Sequence, residues 1–272
     1  MREITDIKEI QKISLDILKY IDKVCKENNI QYFLAGGTAL GAVRHKGFIP
    51  WDDDIDLMMT RPNYEKFLEV MDKTEHPQYK ALYCDEKFPN YFYGFTKVVD
   101  LSTELHEATY ITCDQLGIFV DIFPIDGAPK NAEKIIKQYN RIKSLLNIAS
   151  LKSFLPSTKG KLKNICKLII YPFIKLFGWK LWHKKRVNLI KKCDFNKCEH
   201  STIYEGMYKL KEIMPKSIYD DVIYVQFEDD KFPILKDYDK YLSSIYGDYM
   251  TPPPKEKQIT HHDFKIYKKD TK

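Results

Sequence analysis

The sequence predicts an α/β (α+β) protein in which helices flank a mixed sheet. Three patterns predict it. Ile4, Ile7, Ile10, Ile17, Ile21 and Val24 recur at helical spacing. Ile55, Leu57 and Met59 alternate with Asp54, Asp56 and Met58 at the two-residue period of a strand. Residues 117–123 form a β-branched and aromatic run, which Pro124 is expected to end.

Taken in order, Asp6 with Glu9 three positions on marks a helix start, so a helix runs over about residues 5–27. Residues 30–35 read as a buried strand ending at Gly36-Gly37. A short small-residue helix follows over 38–44, then a loop over 45–51 holding Gly47 and Pro50. After the acidic strand, a helix covers 62–72, with Pro62 suited to its first turn. Residues 91–99 read as a strand, as do 117–123. Helices fill 131–149 and much of 160–192. The last section holds a strand at 222–227, a helix at 238–245 and the stiff segment Pro252-Pro253-Pro254. The division expected is a catalytic core over 1–130, a basic helical insertion over 131–200 and a C-terminal section over 201–272 that completes the site.

Composition excludes several classes. With 44% hydrophobic and 30% charged residues the chain is globular rather than disordered. The apolar stretch at 168–174 is broken by Pro172 and bracketed by Lys167 and Lys175, far short of the roughly 20 residues a membrane span requires. The N-terminus is charged from Arg2 and resembles no signal peptide, and the six cysteines show no disulfide framework, so a reducing cytoplasm is expected. Of the 44 Lys and Arg, 16 fall within residues 134–193, which contain no Asp or Glu; the rest of the chain holds 28 basic against 38 acidic residues. The positive charge is therefore local. Its interleaving with Leu, Ile, Phe and Trp over 159–192 reads as peripheral attachment to an anionic membrane, with a helix capping the core as the rival, and no nucleic-acid motif accompanies it.

The chemistry lies where carboxylates crowd. Asp52, Asp53, Asp54 and Asp56 fall within five positions, an unfavourable density unless a cation sits among them. Residues two apart on a strand share a face, so Asp54 and Asp56 can reach one metal ion. Asp121, a lone acid in the run 117–123, is the natural third ligand, because an unpaired buried charge would be costly. Hard divalent ions such as Mg²⁺ take carboxylate oxygen and are shared with substrate phosphates. Gly36 and Gly37, between a strand and a helix, place backbone N–H groups and a helix dipole where phosphate binds. Arg44 and Lys97 are candidate phosphate neutralisers.

The run from Phe33 through Gly36-Gly37-Thr38, Arg44 and Trp51 to Asp52-Asp53-Asp54-Ile55-Asp56 resembles the signature of the LicD family. Val120 to Gly127 resembles a second motif of that family. Tyr246 to Met250, with Pro252-Pro253 and His261, resembles a third. Lys257 departs from the arginine expected there, which puts a bidentate phosphate contact in doubt. The resemblance implies a nucleotidyltransferase-like fold and transfer of phosphocholine, or another phospho-alcohol, from a CDP-activated donor such as CDP-choline to a sugar hydroxyl. The acceptor it implies is a cell-surface glycan, teichoic acid or lipopolysaccharide, lipid-linked at the inner face of the plasma membrane. It further implies Mg²⁺ or Mn²⁺ on Asp54, Asp56 and Asp121, with Asp121 also the best-placed base. Gly36, Gly37, Thr38, Arg44, Lys97 and His261 are then the donor-binding group. His262 is an alternative to His261, and Trp51 and tyrosines could surround a choline ammonium. Two rivals stand beside this reading: a nucleotidyltransferase that attaches the nucleotide itself, and a non-catalytic membrane adaptor.

Overall fold

In the computed structural model, which describes residues 1–88, 91–107, 113–150, 179–260 and 264–270, a mixed sheet carries the carboxylates on one face. Its path begins at β2 (Phe33–Leu34), which runs antiparallel to β3 (Asp56–Thr60). β3 lies parallel to the long β7 (Phe119–Ala128). β5 (Thr96–Asp100) pairs antiparallel with the other side of β7, and β4 (Tyr79–Leu82) closes that edge. The far end of β7 is taken up by β8 (His200–Thr202), which pairs in turn with β9 (Met214–Pro215).

Helices cover this sheet for identifiable reasons. α1 (Ile7–Glu27) starts at Asp6, whose carboxylate accepts from the Lys8 N–H, and buries Ile10, Ile13, Ile17, Leu18, Ile21 and Val24 along one stripe. α2 (Gly36–His45) follows β2 directly, and α3 (Arg61–Lys73) follows β3 with Pro62 in its first turn. The main apolar core runs from Ile4 to Ile266. α4 (Ala132–Ser150) and α5 (Trp179–Ile190) pack on each other around a separate cluster of Ile142, Ile190 and Tyr204. The hairpin of β10 (Val222–Phe227) and β11 (Asp230–Leu235) leads into α6 (Tyr238–Tyr246).

Several expectations need correction. Only Phe33 and Leu34 of the segment 30–35 are strand, and the strand expected over 91–99 spans Thr96–Asp100. The acidic strand begins at Asp56, so the parity argument for Asp54 does not hold; Asp54 lies in the preceding loop. Pro124 does not end β7. Asp121 donates its N–H to Ile55 on the β3 side, so the nitrogen of residue 124 faces the other way, toward β5. There β5 has already stopped, at the pairing of Thr96 with Ile122, so no ladder bond is lost. Of the helical insertion, residues 151–178 lie outside the described residues. A three-stranded sheet went unforeseen: β12 (Phe264–Lys268) lies between β1 (Arg2–Ile4) and β6 (Thr103–Glu107), antiparallel to both.

Candidate active site

Pairing register builds the site. Asp56 on β3 lies opposite Asp121 on β7, and Asp121 lies opposite Lys97 on β5, so three adjacent strands set an acid, an acid and a cation in one row. The Lys97 Nζ sits 2.8 and 3.0 Å from the two Asp121 oxygens, with both side chains almost wholly buried. It also lies 3.3 Å from the centre of the Phe119 ring. Asp54 reaches the same place from the loop. All four residues line one cavity of about 250 Å³, together with Ala35, Gly36 and residues of the segment 203–212.

The electrostatics show what such crowding does. The Asp56 carboxyl is held well above the usual carboxylate range, first by desolvation and then by Asp54, Asp121 and Asp52, with Lys97 opposing. One oxygen each from Asp52, Asp53 and Asp54 falls within 4.8 Å of the others. Asp53 therefore turns toward its neighbours, although an early strand would have faced it away. The donor set is all carboxylate oxygen, the set that hard divalent ions select.

The N-terminus of α2 faces these acids. Gly36 has φ +48°, and a β-carbon there would stand 3.2 Å from Asp56 Oδ2; one on Gly37 would stand 2.7 Å from Asp52 Oδ2. Glycine is thus required for carboxylates to approach the helix start, where the dipole favours negative charge. The Gly36 N–H donates to the Tyr241 hydroxyl at 3.1 Å, and the Thr38 hydroxyl accepts from the Asp56 N–H at 2.8 Å. In this state the polar groups at the glycine turn organise Asp56 and Tyr241.

Arg44 is not among the residues lining the cavity. Eight residues beyond Gly36 on a helix, it lies about 12 Å along the axis. Its Nη1 donates to the Tyr249 carbonyl at 2.7 Å, and its Nε donates to His45 Nε2 at 2.9 Å. Trp51 meets His45 edge-on, with centroids 6.4 Å apart, and likewise does not line the cavity. His261 and His262 lie outside the described residues.

Several cavity residues escaped the sequence reading. Glu205, Met207, Tyr208, Glu212, Tyr241 and Phe264 line the cavity, as do the rings of Tyr93, Phe95 and Phe123, and the Glu205 carboxylate packs against Gly94. Burial lifts the Glu212 carboxyl to about 8, and its Oε2 is buried without a hydrogen-bond donor. Glu205 pairs with Arg186 of α5, whose Nε is 3.3 Å from Oε1; the arginine is fully buried and donates from Nη1 to the Phe92 carbonyl at 3.0 Å. One basic residue of the segment 131–200 thus anchors a residue lining the cavity rather than facing outward. A Glu-Gly pair was the only signal near these acids, and it is too common to single them out.

A mixed sheet that gathers carboxylates and a lysine beneath a helix start is suited to phosphoryl transfer, and the chain's relatives place it among phosphotransferases with a nucleotidyltransferase domain. The family profile described as LicD/FKTN/FKRP, nucleotidyltransferase domain, matches residues 29–143. The chain is 36% identical over 279 aligned residues to the lipopolysaccharide cholinephosphotransferase LicD of Haemophilus influenzae, covering 98% of this chain and 99% of that protein. A short stretch is 46% identical over 39 residues to the human ribitol 5-phosphate transferase FKRP, covering 14% of this chain and 8% of that protein. The chain belongs to the LicD family, and it is an enzyme. No helix among the described residues is long and apolar enough to cross a membrane.

Proposed function

We propose that this enzyme transfers phosphocholine from CDP-choline to a sugar hydroxyl of a lipopolysaccharide-type glycan, releasing CMP. The observation that carries the reading is the row Asp56–Asp121–Lys97, joined by Asp54 in one cavity, in a chain that aligns end to end with a cholinephosphotransferase. The carboxylates suit a divalent cation in being oxygen-only, with Asp52, Asp53 and Asp54 converging within 4.8 Å; burial first, and then the neighbouring acids, hold the Asp56 carboxyl high, while Lys97 engages both Asp121 oxygens. Asp54, Asp56 and Asp121 would hold Mg²⁺ or Mn²⁺, which when bound neutralises charge on a donor diphosphate.

The chain's own residues supply the rest. Lys97 is the cation within the cavity wall; its contact with Asp121 fixes that side chain and places positive charge where a phosphoryl oxygen arrives. Asp121 is the base proposed for the attacking hydroxyl. Gly36 and Thr38 hold Asp56 and the Tyr241 ring in place. The acceptor is proposed to be lipid-linked, with peripheral contact through the basic insertion at the inner membrane face.

Incubation of the protein with Mg²⁺, labelled CDP-choline and lipopolysaccharide lacking the modification tests this. Labelled glycan with equimolar CMP is expected, lost in Asp54→Asn and Asp56→Asn. CMP appearing on the acceptor would replace the reading with nucleotidyl transfer, and unchanged turnover in both variants would remove the metal cluster from the chemistry.

A further inference from the structure

The sheet face that bears Asp121 continues into aromatic rings. Phe123 lies two residues beyond Asp121 on β7, and Phe95 two residues before Lys97 at the entrance to β5, so both share the face of the acid–lysine pair. Their ring centroids stand 4.5 Å apart, and Tyr93 continues the row 5.3 Å from Phe95. All three are only partly buried and line the cavity.

These rings already face a cation. The Lys97 ammonium sits 5.2 Å from the Phe95 centroid and 5.4 Å from that of Tyr93. Among the described residues the cavity is otherwise acidic: Asp54, Asp56, Asp121, Glu205 and Glu212 line it against Lys97. Glu212 also leaves a buried oxygen without a donor there. Ring faces with carboxylates behind them attract a permanent cation and give a neutral polyol few hydrogen-bond partners along the aromatic wall.

Spacing fits as well. Two residues of strand span about 6.7 Å, so the Phe95–Phe123 pair lies that far along the sheet from Asp121. An ammonium separated by two carbons from a phosphate ester oxygen reaches a similar distance beyond a phosphorus held at the acids.

We propose that Tyr93, Phe95 and Phe123, with the Glu205 carboxylate packed against Gly94 between the first two, seat the quaternary ammonium of the transferred group and set the enzyme's preference for a cationic alcohol over a polyol. The inference rests on the cholinephosphotransfer reading above and assigns its specificity to named residues.

Calorimetric titration of the full chain in Mg²⁺ tests it with three ligands: CDP, CDP-choline, and the CDP ester of 3,3-dimethylbutanol, which has the shape of choline without its charge. The wild type should bind CDP-choline at least tenfold tighter than the neutral isostere. Phe95→Leu and, separately, Phe123→Leu should cut that ratio about fivefold while affinity for CDP stays within twofold, which shows that the fold survives. An unchanged ratio in both variants, or equal losses for CDP and CDP-choline, overturns the inference and leaves the rings as packing for Lys97. If the wild type forms no CMP from CDP-choline, the inference fails together with the proposed function. If it forms CMP while the ratio does not move, the aromatic seat alone fails.

Discussion

Arg186→Met should destabilise the protein strongly, and more at high pH than at low. Arg186 is fully buried, and its guanidinium has three interactions: Nη1 to the Phe92 carbonyl at 3.0 Å, Nη2 to His183 Nδ1 at 3.0 Å, and Nε to Glu205 at 3.3 Å. Methionine replaces the volume but strands Glu205, whose side chain is only 5% exposed. Removing one member of a buried pair costs about 3–5 kcal/mol. In a chain of this size that is a fall in Tm of roughly 10 °C. The sign of the pH dependence follows from Glu205. Burial already raises its carboxyl above the ordinary value, with Arg186 opposing, so loss of the arginine raises it further. A group whose folded-state value is raised takes up a proton on folding and destabilises the fold as pH rises through that window. The penalty should therefore shrink toward pH 5 and grow toward pH 8. Thermal melts by circular dichroism at both pH values give the numbers, and Arg186→Met with Glu205→Leu should recover much of the loss. A loss below about 1 kcal/mol, or a double variant worse than the single one, would show that Glu205 is not held by this contact.

Glu212→Gln should reduce the pH dependence of stability: with the carboxyl near 8 when folded and near 4.5 when unfolded, the wild type gives up about 3 kcal/mol at pH 7, visible as a wild-type melt that falls more steeply from pH 5 to 8 than the variant's, in which Asp56 and Glu205 still titrate high. Asp56→Asn should raise the Tm of the metal-free protein by relieving repulsion, yet abolish any Tm increase on adding Mn²⁺. Gly36→Ala should cost about 1–2 kcal/mol from its left-handed φ and reduce turnover by pressing on Asp56, read from melts and CMP release. Arg44→Ala should lower Tm through loss of the Tyr249 contact and leave KM for the donor unchanged.

The aspartates were legible because their density in sequence is anomalous without folding, and the two-residue period told which strand carried Asp56. Asp121 was legible for a related reason: a single acid inside an apolar run demands an explanation. Register then supplied what the chain order could not, setting Asp56, Asp121 and Lys97 side by side from positions 24 to 65 residues apart. Glu205 and Glu212 gave no such signal, since lone acids are common in a lysine-rich section and only tertiary packing buries them. Aromatic abundance was visible, but its division between core and cavity depends on which sheet face each ring occupies. The proline error was instructive. Pro124 is compatible with a strand interior only because a neighbour stops two residues earlier, a property of the partner strand. β1, β6 and β12 are three to five residues long and find partners across the whole chain, so local pattern could not reveal them.

The central position of β12 has a consequence for the edges of its neighbours. It fills the gap between two strands that precede it by more than 150 residues of chain, and it brings Phe264 to the cavity. Without this strand the edges of β1 and β6 lie open and the cavity loses its Phe264 side. A variant truncated before β12 should therefore expose two adhesive strand edges and lose the Phe264 side of the cavity.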